Sequence, residues 1–325
     1  MAQVVAGWHR PLLLSHARAD GDAIGSLCAM RQILSALGHQ PTALLFEPLQ
    51  ARYAWLPGED TPEVTDGPSH SAFNHADAIM ILDTCAYAQL EPVADWLRQS
   101  HLPTLVVDHH VTRDELGDHH VIDPQASATC LVLYEWARHV GWELNEPARI
   151  ALYVGLATDT GWFRFSNTDQ RTLAAAAELV GAGVRPAAVH EHIYQSESPA
   201  RFRLIAAALA QAQLHHQDRL AVLTLTRRTF QETGAVPADT EDLVNYPLQI
   251  ATVDVSVLLV EQDDGRVRVS FRSKPPTTDR ADVDVSALAK TFGGGGHQRA
   301  AAARLEGTID RVKQTVIEAV GHALT

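Results

Sequence analysis

Short apolar runs, each closed by a cluster of ionisable residues, set the pattern of the first half of this chain. Pro11–Ser15, Thr42–Phe46, Ala78–Leu82 and Leu105–Val107 read as buried strands. Between the first two, Asp22–Leu37 carries Ile24, Leu27, Cys28, Ile33, Leu34 and Leu37 at helical spacing, and Gly38 stops the run. Pro92–Gln99 reads as another helix. Strands alternating with helices predict an α/β fold with an open, mostly parallel sheet flanked by helices. Ligands of such a sheet bind beyond the carboxyl ends of its strands. The polar clusters lie at those ends: His16 to Asp22 after the first run, Asp83 after the third, Asp108-His109-His110 after the fourth.

Further along, helices are predicted at about 127–139, from a cap at Asn145 with Pro147 in the first turn up to Thr158-Asp159-Thr160-Gly161, and at about 169–179. Arg185-Pro186 breaks the pattern. The expected division is a first domain over 1–185, a helical connector over 186–214 and a smaller α/β domain over 215–325. That last stretch has strands at 220–226, 255–260 and 267–272, with Asp263-Asp264-Gly265 as a hairpin turn. A helix at 285–292, Gly293–Gly296 with His297, a small-residue strand at 300–305 and a helix at 309–324 complete it.

Composition narrows the choices. Of 325 residues, 46% are hydrophobic, ample for packed cores. No run approaches the roughly 20 apolar residues that span a bilayer, and no signal-like start is present, so cytoplasm is the expected location and no membrane partner is expected. The three cysteines, Cys28, Cys85 and Cys130, form no paired motif, which argues against a disulfide framework or a structural zinc site. A net charge of -13 argues against broad binding to long nucleic acid but allows a small anion held by metals and a few arginines.

His16, Asp20, Asp22, Asp83, Asp108, His109, His110 and Asp159 form four sequence-distant clusters of oxygen and nitrogen donors. Any one alone reads as a cap, a turn or a satisfied core histidine. Together they predict a pair of divalent ions, because so many carboxylates do not stay ionised side by side without cations. Mixed carboxylate and imidazole donors suit Mn²⁺, with Mg²⁺, Co²⁺ or Zn²⁺ as alternatives. Asp118-His119-His120 repeats the tripeptide at Asp108, but it follows a loop rather than an apolar strand and is expected to be a surface loop entering a short strand.

These segments have a family resemblance. His16-Ala17-Arg18-Ala19-Asp20-Gly21-Asp22, Asp83-Thr84, Asp108-His109-His110 and Thr158-Asp159-Thr160-Gly161-Trp162-Phe163-Arg164 resemble the successive motifs of the DHH phosphoesterase superfamily. Ser270–Ser273 and Phe292–His297 resemble its DHH-associated C-terminal domain. Length and glycine motif are most similar to the nanoRNase branch, oligoribonucleases that also act on 3′-phosphoadenosine 5′-phosphate (pAp). The resemblance implies that His16 and Asp20 hold one Mn²⁺ and that Asp22, His109 and Asp159 hold the other, with Asp83 between them. It further implies that Asp108 orients ligands and His110 faces the substrate phosphate. Ala19 stands where the family often has Pro, and Ala300–Ala303 lacks a glycine common there.

The glycine run lets backbone amides approach an anion, or serves as a flexible hairpin. From 266 to 304 there are eight basic residues against three acidic ones, a local reversal of the chain's charge. Arg272, Gly295, Gly296 and His297 are therefore expected to grip a nucleotide, and Arg164 either reaches phosphate or makes a surface ion pair. The implied activity is a dinuclear-metal phosphohydrolase that degrades short RNA or DNA oligonucleotides to mononucleotides and acts on pAp, with a homodimer left open. The alternatives are a single-strand DNA exonuclease, a pyrophosphatase or polyphosphatase, and a non-catalytic nucleotide-binding regulator.

Overall fold

A computed structural model describes residues 2–324 apart from 57, 59, 60, 112, 279 and 281. Two compact units divide the chain, Met1–Ser196 and Glu197–Thr325.

The first unit begins with α1 (Ala2–Ala6), β1 (Pro11–Leu14), α2 (Gly21–Ala36), β2 (Thr42–Leu45) and β3 (Glu63–Val64). It continues with α3 (Ala72–His75), β4 (Ala78–Leu82), α4 (Ala94–Gln99), β5 (Thr104–Asp108) and β6 (His119–Ile122). Four helices follow: α5 (Thr129–Val140), α6 (Glu146–Asp159), α7 (Gln170–Gly181) and α8 (Pro186–Tyr194). The strands order as β3-β2-β1-β4-β5-β6, every neighbouring pair parallel. The order reverses between β1 and β4, which places the topological switch point there.

Why the central strands are apolar is visible in the packing. Leu13, Met80, Leu82, Leu105 and Val107 enter the core under α2, α5 and α6. Leu12, Leu14, Ile79, Ile81 and Val106 enter a second core on the other face. Both faces of β1, β4 and β5 are covered, so neither face of these central strands can be polar, whereas the edge strands β3 and β6 carry exposed polar residues.

The second Asp-His-His copy runs from a surface loop into the edge strand β6, with Asp118 and His120 exposed. His119 and His120 lie inside β6, paired with Leu105 and Val106 of β5. Asp118 Oδ2 accepts a hydrogen bond from the Thr104 amide (2.9 Å), and His120 Nε2 donates to the Leu116 carbonyl (2.7 Å). In a parallel sheet this is the amino end of the strands, opposite to the end where His16, Asp83 and His109 cluster.

The second unit contains α9 (Pro199–Ala210), β7 (Gln213–His215), β8 (Leu220–Leu225), α10 (Arg227–Thr233), β9 (Val255–Glu261) and β10 (Arg266–Ser273). It ends with α11 (Val285–Thr291), β11 (Gly295–His297), β12 (Ala300–Glu306) and α12 (Ile309–Leu324). Its sheet runs β11-β12-β10-β9-β8-β7, with β8 and β9 parallel and the other pairs antiparallel. The stretch 186–214 is shared between the units. Val189 and Ile193 of α8 pack in the first core, while Leu204 and Ala208 of α9 pack on the second sheet. Among the described residues no single helix is long and apolar enough to cross a membrane.

Candidate metal centre

Parallel strands deliver most of the centre. His16 follows β1, Asp83 follows β4, and Asp108-His109-His110 closes β5. Asp159 comes from elsewhere, as the last residue of α6. Asp20 caps α2, its Oδ1 accepting the amides of Asp22 (3.0 Å) and Ala23 (3.1 Å). Asp22 lies in the first turn and is buried, because α2 and α6 cross at very short range. A Cβ at Gly21 would lie 2.3 Å from Thr158 Oγ1, and one at Gly25 would lie 2.6 Å from the Ala151 carbonyl.

Three groups of potential ligands result, each with its ligand atoms within 4.8 Å of one another: His16, Asp20 and Asp83; Asp83, His109 and His110; Asp22, His109 and Asp159. Asp83 divides its carboxylate between the first two. Its Oδ2 is 3.4 Å from His16 Nε2, and its Oδ1 is 3.7 Å from His109 Nε2. His109 Nε2 is also 3.8 Å from Asp159 Oδ2. These spacings are too long for hydrogen bonds and suit donors aimed at common points between them.

The imidazoles are prepared as ligands. His109 Nδ1 donates to the Ala126 carbonyl (3.1 Å), which leaves the Nε2 lone pair toward the carboxylates. Burial pulls the His16 pKa down, in the direction that favours the neutral, ligating ring. Asp108 Oδ1 accepts from His109 N (2.7 Å), His110 N (3.1 Å) and His110 Nδ1 (2.7 Å), and this last bond raises the His110 pKa. Asp108 Oδ2 is buried without a hydrogen-bond partner among the described residues.

The carboxylates are the unstable part. Burial pushes Asp83 well above the usual carboxylate range, and Asp22, Asp20, Asp159 and Asp108 push it further. Asp159 is raised for the same reasons, by burial and by Asp22 and Asp20. Divalent cations fit this donor set, since they remove the like-charge penalty and match its mixed oxygen and nitrogen donors. His16, Asp20, Asp22, Asp83, His109 and Asp159 would hold them.

Three hydrogen bonds had no counterpart in the sequence patterns. Asp22 is bound by the start of α5, Oδ2 by the Thr129 amide (2.6 Å) and Oδ1 by the Cys130 amide (2.9 Å). Thr129 Oγ1 also donates to Asp83 Oδ1 (2.9 Å). The available signal was a threonine opening an apolar helical run, which reads as no more than a helix start.

Other proposed site residues stand outside the three groups. Arg164 Nε donates to the Gly161 carbonyl (2.7 Å), and its guanidinium lies 6.0 Å from the Phe165 ring centroid. The turn before it is left-handed at Gly161, Trp162 and Phe163 (φ 56°, 62° and 62°), a costly conformation for two aromatics. It is held because the Trp162 ring packs edge-on against His190 and Tyr194, and because Thr160 Oγ1 accepts the Phe163 amide (3.0 Å).

In the second unit, Arg272 lies on the face of β10 opposite Val267, Val269 and Phe271, which enter the core. It pairs with Ala300 of β12 and Ser256 of β9. Burial lowers its pKa. The end of the glycine run enters one arm of a hairpin: Gly295, Gly296 and His297 pair with Ala302, Ala301 and Ala300. A Cβ at Gly294 would lie 2.1 Å from the Ala302 carbonyl, and one at Gly296 (φ 142°) would lie 2.5 Å from the Ala300 carbonyl. One at Gly295 would meet nothing within 4 Å. Hairpin packing thus explains glycine at 294 and 296 but not at 295. The side chain of His297 lies outside the described part of the structure.

Comparison with known proteins agrees with this architecture. Residues 12–158 match the family model for the N-terminal domain of the DHH family, and residues 217–322 match the DHHA1 domain. A Thermus thermophilus protein named bifunctional oligoribonuclease and PAP phosphatase NrnA is 30% identical over 334 residues, spanning 100% of this chain and 94% of that protein. A Bacillus subtilis protein of the same name is 27% identical, spanning 90% of this chain and 88% of its own. Among solved structures, an exopolyphosphatase-related protein from Bacteroides fragilis has a TM-score of 0.91 at 23% identity, covering 99% of this chain and 96% of that one. RecJ of Thermus thermophilus in complex with Mn²⁺ has a TM-score of 0.53 at 14% identity, covering 100% of this chain and 54% of that one. These two likenesses are of fold.

Proposed function

The chain belongs to the DHH family, and we propose that it is a dinuclear-metal phosphohydrolase that degrades short oligonucleotides to mononucleotides and dephosphorylates pAp. The observation that carries this reading is the Asp83 carboxylate, one oxygen toward the His16 group and the other toward the His109 group. A carboxylate shared in this way suits two ions a few ångströms apart. Relatives of nearly full-length similarity carry names for both activities.

Divalent ions held by His16, Asp20, Asp22, Asp83, His109 and Asp159 would supply Lewis-acid polarisation of a phosphoryl oxygen and a water of lowered pKa. Manganese is the metal of this reading because the donors mix imidazole and carboxylate. His110, held through Nδ1 by Asp108, presents its other edge to phosphate and donates to charge developing there. Arg272 and the amides of Gly295 and Gly296, together with His297, bind the nucleotide, and Arg164 is a second phosphate contact. With a net charge of -13, long nucleic acid is a poor ligand. The three cysteines are buried and form no disulfide among the described residues, which suits the cytoplasm.

The test is a time course with Mn²⁺ on a dinucleotide, a longer RNA, pAp and pyrophosphate. The reading expects rapid turnover of the dinucleotide, measurable release of phosphate from pAp, and slow action on the other two. Pyrophosphate as the preferred substrate, or no turnover of any with Mn²⁺ bound, would refute it.

A further inference from the structure

One residue touches two carboxylates of the centre at once, one through its backbone and the other through its side chain. Thr129 opens α5 and is completely buried. Its amide donates to Asp22 Oδ2 and its hydroxyl to Asp83 Oδ1, at 2.6 and 2.9 Å. A hydroxyl has one proton to give, and here it goes to the carboxylate common to two ligand groups.

That choice has a geometric consequence. Asp83 sits just past the end of β4 in the left-handed region, at φ 61°. Its backbone is anchored by the amide, which donates to the Val107 carbonyl (3.0 Å). The rotation of the carboxylate about its own axis is a separate matter, and that rotation decides whether Oδ1 and Oδ2 face different groups. A bond from Thr129 Oγ1 to Oδ1 restrains it. An ionised carboxylate oxygen has lone pairs enough to accept this bond and still serve as a ligand.

We propose that Thr129 is a positioning residue of the centre: its hydroxyl sets the carboxylate of Asp83 so that one oxygen serves each ligand group, while its amide holds Asp22. The proposal rests on the dinuclear reading above. Partners of this kind, one step behind the ligands, typically change metal affinity by about 10–100-fold when removed.

The experiment uses the full chain stripped of metal and titrated calorimetrically with Mn²⁺ alone, followed by steady-state kinetics on a dinucleotide. Thr129→Val keeps shape and amide but loses the hydroxyl, whereas Thr129→Ser keeps the hydroxyl. Thr129→Val is expected to bind Mn²⁺ about 10–100-fold more weakly, and Thr129→Ser to stay within about threefold of the parent. At saturating Mn²⁺ the valine variant should lose kcat with little change in KM. Parent-like Mn²⁺ affinity in Thr129→Val would overturn the proposal. So would a serine variant as weak as the valine one, since the methyl rather than the hydroxyl would then matter. If the valine variant does not fold, Thr129→Ala is read against Thr129→Ser in the same way. A parent chain that binds no Mn²⁺ would bring down the dinuclear reading itself, and this proposal with it.

Discussion

Gly155→Ala should weaken both the fold and the metal centre, although it replaces a poor helix former with the best one. Gly155 lies within α6, where the substitution alone would contribute about 1 kcal/mol of stability. The added Cβ would lie 2.2 Å from Cys130 Sγ, 2.6 Å from Asp22 Oδ1 and 2.7 Å from Cys130 Cβ. Cys130 and Asp22 are buried on α5 and α2, so neither can swing into solvent. Ordinary contact requires α5 to retreat by roughly 1 Å, at an overpacking cost of about 1–3 kcal/mol. The same retreat stretches the bond from the Cys130 amide to Asp22 Oδ1 from 2.9 Å to beyond hydrogen-bonding range. A hydrogen bond to a charged group contributes about 1.5–3 kcal/mol. The net expectation is a loss of about 1.5–5 kcal/mol, read as a lower midpoint in urea, together with weaker Mn²⁺ binding by calorimetry. Adding Cys130→Ala removes the nearest clash and should recover part of the stability. A Gly155→Ala chain as stable as the parent, with unchanged metal affinity, would show that the crossing has slack and that this packing does not place Asp22.

Four further outcomes follow from the same structure. Asp83 and Asp159 have folded-state pKa values raised above their unfolded ones, so their contribution is full below about pH 3.9 and is lost as pH rises through the raised values. Metal-free Asp83→Asn, whose asparagine tolerates the left-handed backbone, should therefore melt above the metal-free parent at about pH 8, with the gap closing toward about pH 4, while turnover is abolished; equal melting at both pH values contradicts the charge argument. Gly295→Ala should fold like the parent yet raise KM for a dinucleotide, whereas Gly294→Ala should lower the melting temperature by forcing β11 from β12; the reverse pattern would assign the run wrongly. Asp118→Ala should cost about 1 kcal/mol by freeing the Thr104 amide and leave kcat intact, whereas His109→Ala should abolish turnover. Arg272→Ala should chiefly raise KM, and an unchanged KM removes that residue from substrate binding.

The legible part of the site was its strand ends. An apolar run that stops at Asp83 or Asp108 carries its meaning within a few residues, because a strand buried on both faces tolerates charge only past its carboxyl end. The cap at Asn145, the hairpin turn at Gly265 and the parallel order inferred from alternating elements are equally local. The second Asp-His-His copy shows the limit of that reading. Its position after a loop separated it from the first copy, but its residence inside β6 depended on pairing with β5.

What the sequence determined by itself was the inventory: donors of the right chemistry, spaced so that each follows a buried strand or ends a helix. The tertiary structure decided how those donors are aimed. Thr129 reaches Asp22 across 107 positions of chain and Asp83 across 46, and Gly155 is required by side chains on two other helices. The glycines at 294 and 296 answer to carbonyls of the facing strand, while Gly295 does not. No periodicity or motif encodes such contacts, because they arise only when separately folded elements approach within a few ångströms of each other.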